Sequence, residues 1–373
     1  MPLWRALKRT TGIRTFAKTF STTTFPAVAR NTRGDWLRIR NVVFGADQHR
    51  IMSHPCFIVL LGIIFLQSSV AISVQTPASK PTLALLTFDL DDTLFPVAKV
   101  VEDANVAMIQ ALWDAGYTDA TNDRIVQHTR MIRRKQRKQM TYTQLRKRAI
   151  QTELELLTRD SGGGKPIDYD LVSHVFDSWL HARHASAERY LFDGAMEMLQ
   201  QVKDSYPNAC IGAITNGRGN PLRMTNTLAR YFDFCVSGED DGVHPERKPH
   251  RGIFMVSLSE YHKRFPNDLS ASHIWVHVGD CLANDVGASA KMGAYAVWVD
   301  LDDLKEESAT SGNQPPMWST APAKEASSRR KLADKSRGFV SEKITTLPQL
   351  PTVLDKILHK AYKESLFGQV RRL

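Results

Sequence analysis

The chain has 373 residues, of which 42% are hydrophobic and 24% are charged. This composition excludes a disordered chain, and the length allows roughly two domains of ordinary size. The net charge of +10 is unevenly distributed, because residues 1–80 hold 11 Lys/Arg against two acidic residues whereas residues 81–373 hold 38 against 37. This near-neutral body gives no electrostatic reason to expect specific nucleic-acid binding. The four cysteines form no paired motif, which excludes a disulfide framework and a Cys-rich zinc site.

Residues 1–80 have the features of a targeting region. The first 34 residues lack acidic side chains and are rich in Ser, Thr, Lys and Arg, as in organellar transit peptides. The segment CFIVLLGIIFLQSSVAISV (56–74) has an apolar core that is short for a membrane span but typical of a signal peptide. We expect targeting to the mitochondrion or plastid, or to the secretory route if translation starts at Met52. Membrane contact is expected only through this segment, if it stays uncleaved.

Five short apolar stretches in the body predict β-strands. They are LALLTFDL (83–90), ACIGAITN (209–216), FDFCVSGE (232–239), HIWVHVGD (273–280) and AYAVWVD (294–300). Near-continuous apolar runs are typical of strands buried on both faces. Helical patterns lie between the later strands, in PLRMTNTLARYF and GIFMVSLSEYHKRF. The alternation predicts an α/β protein with a doubly wound, Rossmann-like parallel sheet.

More than a hundred residues separate the first two predicted strands, too many for one crossover. Apolar residues at helical spacing begin at Val97, and further helices are predicted at 121–135, 141–159 and 168–189, with SGGGKP (161–166) as a turn. We therefore predict a helical cap over 99–189, inserted into a sheet domain of 81–98 and 190–373. Such a cap would lie over the carboxyl ends of the strands, where these sheets bind ligands.

The end of the chain divides into two parts. Residues 302–337, rich in Ser, Ala, Pro and charged residues, predict a flexible insertion. The segment FVSEKITTLPQLPTVLDKIL then predicts a short strand and a closing helix.

Polar residues follow the predicted strands at the points where they end. Asp89, Asp91 and Thr93 follow the first strand, Thr215 and Asn216 end the second, Lys248 follows the third, and Asp280, Asn284 and Asp285 follow the fourth. In a parallel sheet these ends share one edge, so residues that are distant in sequence converge there. Clustered buried carboxylates are costly unless a cation neutralises them, which indicates a divalent metal.

These motifs resemble the haloacid dehalogenase superfamily in its helical-cap phosphatase branch. DLDDT (89–93), ITN (214–216), Lys248 in RKP and GDCLAND (279–285) match its four motifs in order, within about residues 81–300. The resemblance implies phosphate-ester hydrolysis with Mg²⁺ as cofactor. It implies Asp89 as nucleophile and Asp91 as general acid and base, with Mg²⁺ bound by Asp89, the backbone carbonyl of Asp91, and Asp280.

The remaining motif residues receive supporting roles from the same resemblance. Lys248, Thr215 and Asn216 are expected to hold the phosphate, with Lys248 also counted among the catalytic residues. Asp285, Asn284 and Thr93 are expected to orient the metal-bound water and the residues that contact the metal. His277, in the middle of a strand, is interpreted as a core histidine.

The substrate is expected to be a small phosphorylated metabolite. The motifs look most similar to riboflavin-pathway and nucleotide monophosphate phosphatases, which favours 5-amino-6-(5-phosphoribitylamino)uracil or FMN. A sugar or glycolate phosphatase and a phosphomutase of the same superfamily remain alternatives. A different class of function, binding of nucleic acid or another anionic ligand, is suggested by the basic segment 128–148, which lacks acidic residues.

Overall fold

The computed structural model describes residues 80–135, 140–160, 168–266, 272–301 and 323–366. The predicted targeting segments, the SGGGKP turn and residues 302–322 lie outside these ranges, so those expectations stay predictions. Within the described ranges, no helix combines the length and the apolar character needed to span a membrane.

Six parallel strands form one sheet in the order β3-β2-β1-β4-β5-β6. The strands are β1 (Thr82–Phe88), β2 (Cys210–Thr215), β3 (Phe234–Ser237), β4 (His273–Gly279), β5 (Tyr295–Val299) and β6 (Val340–Ile344). All five predicted strands and the additional short strand near the end of the chain are therefore confirmed. Because β1 lies between β2 and β4, its carboxyl end is flanked by the carboxyl ends of both neighbours.

Four helices occupy the described part of residues 97–189, within the long segment between β1 and β2. They are α1 (Val97–Asp114), α2 (Asn122–Lys135), α3 (Tyr142–Asp160) and α4 (Tyr169–Arg189). Most of their buried apolar side chains form a cluster separate from those on the sheet, which includes Met108, Leu154 and Trp179, whereas Val100 and Ala187 pack with a cluster on the sheet. A largely separate core is what a cap domain requires. We call residues 99–189 the cap, and these bounds stay a prediction.

The helices after the cap pack on the two faces of the sheet. They are α5 (Ala195–Ser205), α6 (Arg251–Arg264), the one-turn α7 (Gly287–Ala290), α8 (Ala323–Ser336) and α9 (Leu350–Leu366). Side chains of α5 and α9 pack with the cluster that contains Phe88, whereas α6 packs with the cluster that contains Trp275. Helices on both faces confirm the doubly wound α/β class.

Two predictions about local structure are wrong. The stretch PLRMTNTLARYF forms only two short 3₁₀ turns, Pro221–Arg223 and Leu228–Arg230, instead of a helix. Glu188 of α4 accepts hydrogen bonds from the backbone N–H groups of Asn226 and Thr227 (2.9 and 3.1 Å). A side chain from another element thus binds donors that an α-helix would use internally.

The second wrong prediction concerns residues 323–336, which form helix α8 instead of a flexible insertion. The segment AKEASSRRKLADKS is rich in Ala, Lys and Arg, which favour helices. Ala333 of this helix packs against a small cluster that contains Leu282, Val286 and Ala296. Tertiary packing therefore stabilises a segment whose polar composition indicated flexibility.

Candidate active site

The carboxyl end of β1 places Asp89 and Asp91 beside the ends of β2 and β4. The backbone N–H of Asp89 still donates to Val278 of β4 (2.9 Å), so this residue continues the sheet while its carboxylate lies at the edge. Asp92 follows with φ 59° and accepts the N–H of Val97 at the start of α1 (2.9 Å). This left-handed residue reverses the chain directly after the strand, and its carboxylate caps the start of α1.

Lys248 is buried at the centre of the site. Its Nζ donates to Oδ1 of Asp89, to Oδ1 of Asp285 and to the backbone carbonyl of Ile214, each at 2.7 Å. An ammonium group has three protons to donate, so every one of them has an acceptor. Although burial disfavours its charge, Asp285 and Asp89 raise the pKa of Lys248 above its usual value. The lysine therefore stays charged and ties β1 to the turn after β4.

Asp285 is held by three donors. Its Oδ1 lies 2.7 Å from Nζ of Lys248 and 3.3 Å from Nε2 of His277, and its Oδ2 accepts the N–H of Cys281 (3.2 Å). Burial opposes its ionisation, but Lys248 and His277 outweigh this and lower the pKa of Asp285 to about 2. Asp285 is thus a fixed negative charge that orients Lys248, which agrees with the supporting role expected for it.

His277 is a satisfied core histidine, as interpreted, and it also belongs to the buried network of the site. Its Nδ1 lies 2.8 Å from Oγ1 of Thr87, which accepts a hydrogen bond from Nε1 of Trp275 (2.8 Å). Burial lowers the pKa of His277, so the ring is neutral and can donate from Nε2 to Asp285 while Nδ1 accepts from Thr87. Spacing in the sequence does not indicate the contact between Thr87 and His277, because the two residues meet only where β1 and β4 pair in the sheet.

Asp280 and Thr93 form a reciprocal pair at the end of β4. The backbone N–H of Asp280 donates to Oγ1 of Thr93 (3.1 Å). The Thr93 hydroxyl in turn donates to Oδ1 of Asp280 (3.3 Å). Thr93 thereby fixes the orientation of Asp280. Burial, with Asp285 and Asp89 adding to it, raises the pKa of Asp280 well above its usual value.

The carboxylates of Asp89, Asp280 and Asp285 converge on a space that suits a hard cation. One oxygen from each lies within 4.8 Å of the others. Burial, reinforced by Asp285 and Asp91 and opposed by Lys248, raises the pKa of Asp89 to about 7. The raised pKa values of Asp89 and Asp280 show that too little positive charge surrounds the three carboxyl groups. A divalent cation, which binds oxygen ligands, would supply that charge.

The remaining motif residues lie where the sequence predicted them. Thr215 is fully buried at the end of β2, and its Oγ1 accepts the N–H of Gly217 (3.1 Å). Nδ2 of Asn216 donates to the backbone carbonyl of Lys248 (2.9 Å). Asn284, in the turn after β4, lines the same cavity. All nine predicted site residues therefore meet at one edge of the sheet; their individual roles stay predictions.

The cap contributes a buried arginine that the sequence did not reveal. Nη2 of Arg183, on α4, donates to both oxygens of Asp91, at 2.6 and 2.9 Å. Only 3% of the arginine is exposed, and its Nη1 has no hydrogen-bond partner among the described residues. Arg183 sits in a helix rich in apolar and histidine residues, and only the packing of α4 over the sheet directs it to the site.

We call the edge of the sheet that carries the nine predicted site residues the catalytic edge. A cavity of about 1250 Å³ extends from it into the cap. It is large for a metabolite-sized ligand, for which about 300–1,000 Å³ is usual. Of the basic segment 128–148, Arg130 and Arg146 are among the arginines that line it. Arg134 and Lys135 are exposed, and residues 136–139 lie outside the described ranges.

The raised pKa of Asp89 predicts how the metal-free protein responds to pH. Between pH 3.8 and about 7 the folded protein keeps a proton on Asp89 that the unfolded chain loses. Folded stability should therefore fall as the pH rises through this window. In thermal unfolding with a chelator present, Asp89→Asn should lose less stability than the wild type between pH 4 and 7. Equal losses in the two proteins would contradict the assignment.

Comparison with known proteins identifies relatives in sequence. The chain is 25% identical over 224 residues to the 5-amino-6-(5-phospho-D-ribitylamino)uracil phosphatase YigB of Escherichia coli (strain K12), a match covering 58% of this chain and 83% of that protein. It is 34% identical over 106 residues to haloacid dehalogenase-like hydrolase domain-containing protein 3 of Xenopus laevis, covering 28% of this chain and only 39% of that relative.

Comparison with solved structures supports the fold. A 2-haloacid dehalogenase from Pseudomonas syringae pv. Tomato DC3000 superposes with a TM-score of 0.51 at 24% identity, covering 74% of this chain and all of that one.

The family model for haloacid dehalogenase-like hydrolases matches residues 83–293, more than half of the chain and the whole catalytic edge. The chain belongs to the haloacid dehalogenase-like hydrolases.

Proposed function

We propose that this hydrolase is a Mg²⁺-dependent phosphatase that acts on a small phosphorylated metabolite. The observation that carries the proposal is the arrangement around Asp89: its carboxylate contacts the Lys248 ammonium at 2.7 Å, and Asp91 lies two residues further along the same edge. A carboxylate nucleophile, a fixed cation and a second carboxylate are the groups that hydrolysis through a covalent phosphoenzyme requires.

The reaction then takes two steps. An oxygen of Asp89 attacks phosphorus and forms an acyl phosphate, while the bond from phosphorus to the ester oxygen breaks and Asp91 protonates that oxygen. Water next attacks the phosphorus, Asp91 accepts its proton, and phosphate leaves as the Asp89 carboxylate is restored. Lys248, Thr215 and Asn216 would hold the phosphoryl oxygens, because the transferred group carries negative charge throughout.

The residues present fit a magnesium ion. The Asp89 and Asp280 carboxylates, with the Asp91 backbone carbonyl, would bind it, and Asp285 would stay bound to Lys248. Hard oxygen ligands with positions left for water are what Mg²⁺ prefers. When bound, the ion would neutralise charge on the carboxylates and the phosphoryl group. The proposed acid Asp91 also favours a phosphatase over a dehalogenase, because a leaving halide needs no proton. A phosphomutase remains an alternative.

A ribityl-pyrimidine phosphate is the substrate we propose, with FMN next and a sugar or glycolate phosphate as the alternative. The 25% identity to YigB over 224 residues supports this choice, and the cavity of about 1250 Å³ has room for a ring and a polyol chain. A cap above the site would also exclude folded phosphoproteins.

Released phosphate from a panel of phosphometabolites tests the substrate proposal. With Mg²⁺ present, the ribityl-pyrimidine phosphate should have the highest kcat/KM, and phosphopeptides should be hydrolysed slowest because the cap restricts access. A phosphopeptide that was hydrolysed faster than every metabolite would refute the argument from the cap.

Substitution of the nucleophile tests the mechanism. Asp89→Asn should reduce turnover by at least about 10⁴-fold, since an amide cannot form the acyl phosphate, and a chelator should abolish wild-type activity. The same assay on Asp240→Asn, which alters a carboxylate in the loop after β3, serves as control. Wild-type turnover in Asp89→Asn would rule out covalent catalysis by this residue.

Arg183 is expected to position Asp91 for proton transfer to the leaving group. Arg183→Met should lower kcat/KM for an alkyl phosphate by roughly 100-fold, in the range that general acid catalysis contributes. It should lower kcat/KM for p-nitrophenyl phosphate far less, because nitrophenolate leaves without a proton. Arg189→Met is the matched control, since Arg189 lies on the same helix but is exposed and pairs with Asp103 (3.2 Å). Equal losses with both esters would indicate that Arg183 only holds the cap.

A further inference from the structure

Four polar side chains line the cavity where the cap meets the sheet domain. Asn216 and Glu239 come from the sheet domain, and Thr143 and Arg146 come from the first turns of α3. Apart from the phosphate-binding role proposed for Asn216, none of them has a part in the mechanism above. Three of them carry a polar atom that is shielded from solvent and makes no hydrogen bond within the described ranges.

Glu239 uses one of its two carboxylate oxygens. Oε2 accepts the backbone N–H of Thr143 (3.1 Å), which joins the loop after β3 to the cap. Oε1 is buried and has no partner among the described residues. A second carboxylate oxygen without a donor, close to a site built for phosphate, is unfavourable unless a ligand supplies the donor.

The neighbouring polar atoms have the same requirement. Asn216 donates through Nδ2 to the backbone of Lys248, while its Oδ1 is buried and unpartnered. Gly238, the residue before Glu239, packs directly against Asn216, since a Cβ added there would lie 3.3 Å from Oδ1 of Asn216. The hydroxyl of Thr143 is also buried without a partner in the described part of the chain. Carboxylate and amide oxygens only accept, so a ligand that satisfies them must donate.

Arg146 adds a charged donor on the cap side of this group. Its guanidinium lies 4.0 Å from the Trp179 ring centroid, and its Nη1 donates to Oδ1 of Asn105 (3.0 Å). Burial and the charge of Arg183 lower the pKa of Arg146 to about 10, with Glu239 opposing, so it is charged at neutral pH. No carboxylate of the described residues forms an ion pair with it, which leaves its other N–H groups available to an acceptor on the ligand.

We propose that Glu239, Asn216, Thr143 and Arg146 form a leaving-group subsite, which selects phosphate esters whose alcohol carries hydroxyl or amino donors. The proposal rests on the phosphatase function above and narrows its substrate class to polyol-type monophosphates. Glu239 and Asn216 accept from the donors of the alcohol, and Arg146 donates to an acceptor further along it. Simple alkyl and aryl phosphates leave these groups unpaired, and a second anionic group beside Glu239 is repelled.

The Glu239→Gln variant tests whether Glu239 recognises the substrate or only holds the cap through its hydrogen bond to Thr143. The amide keeps one oxygen that can accept the N–H of Thr143, but it replaces the second acceptor with an NH₂ donor that opposes the donors of the substrate. We expect wild-type kcat/KM for ribitol 5-phosphate to exceed that for pentyl phosphate by roughly 100-fold, because polar groups left unpaired discriminate strongly. In Glu239→Gln this ratio should fall by roughly tenfold or more, with pentyl and p-nitrophenyl phosphate changing less than about threefold.

Two further variants complete the experiment. Thr143→Val removes the hydroxyl but keeps the backbone N–H, and it should shift the ratio in the same direction. Glu102→Gln removes the same charge from an exposed residue lining the cavity, and it should leave the ratio unchanged. Unfolding temperatures of the full-length proteins should agree to within a few degrees.

The outcomes distinguish the subsite from the proposed function. Hydrolysis of all three esters with an unchanged ratio in Glu239→Gln overturns the subsite alone. An equal loss for all three esters in Glu239→Gln also overturns it, because that result shows a purely structural role. Failure of the wild type to release phosphate from any ester overturns the phosphatase function and the subsite with it.

Discussion

The buried ammonium group of Lys248 is the constraint on which the catalytic edge depends. It contacts Asp89, Asp285 and the end of β2 at hydrogen-bond distance, so it joins three segments far apart in sequence. Removing such a charge from its partners would leave buried carboxylates uncompensated, which costs roughly 3–5 kcal/mol. The lysine therefore organises the site as well as supplying positive charge to it.

The topology of the sheet explains why these groups can meet. The central position of β1 places Asp89 between the ends of β2 and β4, and the crossover between the two halves of the sheet leaves room above it. Behind the edge, Thr87, Trp275 and His277 continue the polar network into the core. A polar chain at this depth is tolerated because each of the linked atoms finds a partner.

The polar groups around Lys248 differ from those that line the cavity in how they are satisfied. Around Lys248 almost every polar atom has a partner, whereas Arg183 and Thr143 of the cap and Glu239 and Asn216 of the sheet domain each keep one buried polar atom unpaired within the described ranges. Unpaired polar atoms that line a cavity indicate where a ligand completes the structure. In the proposed subsite these unpaired atoms select the substrate, while the motif residues lie within the segment that matches the family.

The sequence by itself determined the sheet, the four cap helices and all nine motif residues of the catalytic edge. Apolar strands buried on both faces are continuous in sequence, and each motif lies directly at the end of its own strand, so local patterns were sufficient. Only the tertiary structure decided the Arg183–Asp91 pair, the link from His277 to Asp285 and the position of Glu239 beside Thr143. These contacts join residues 92, 8 and 96 positions apart. The structure also has short 3₁₀ turns where a helix was predicted after β2, and helix α8 where a flexible segment was predicted before β6. In the first case a contact with a distant element outweighed local propensity, and in the second case packing against distant residues stabilised a helix in a segment of polar composition. Such contacts leave no periodic signal in the sequence.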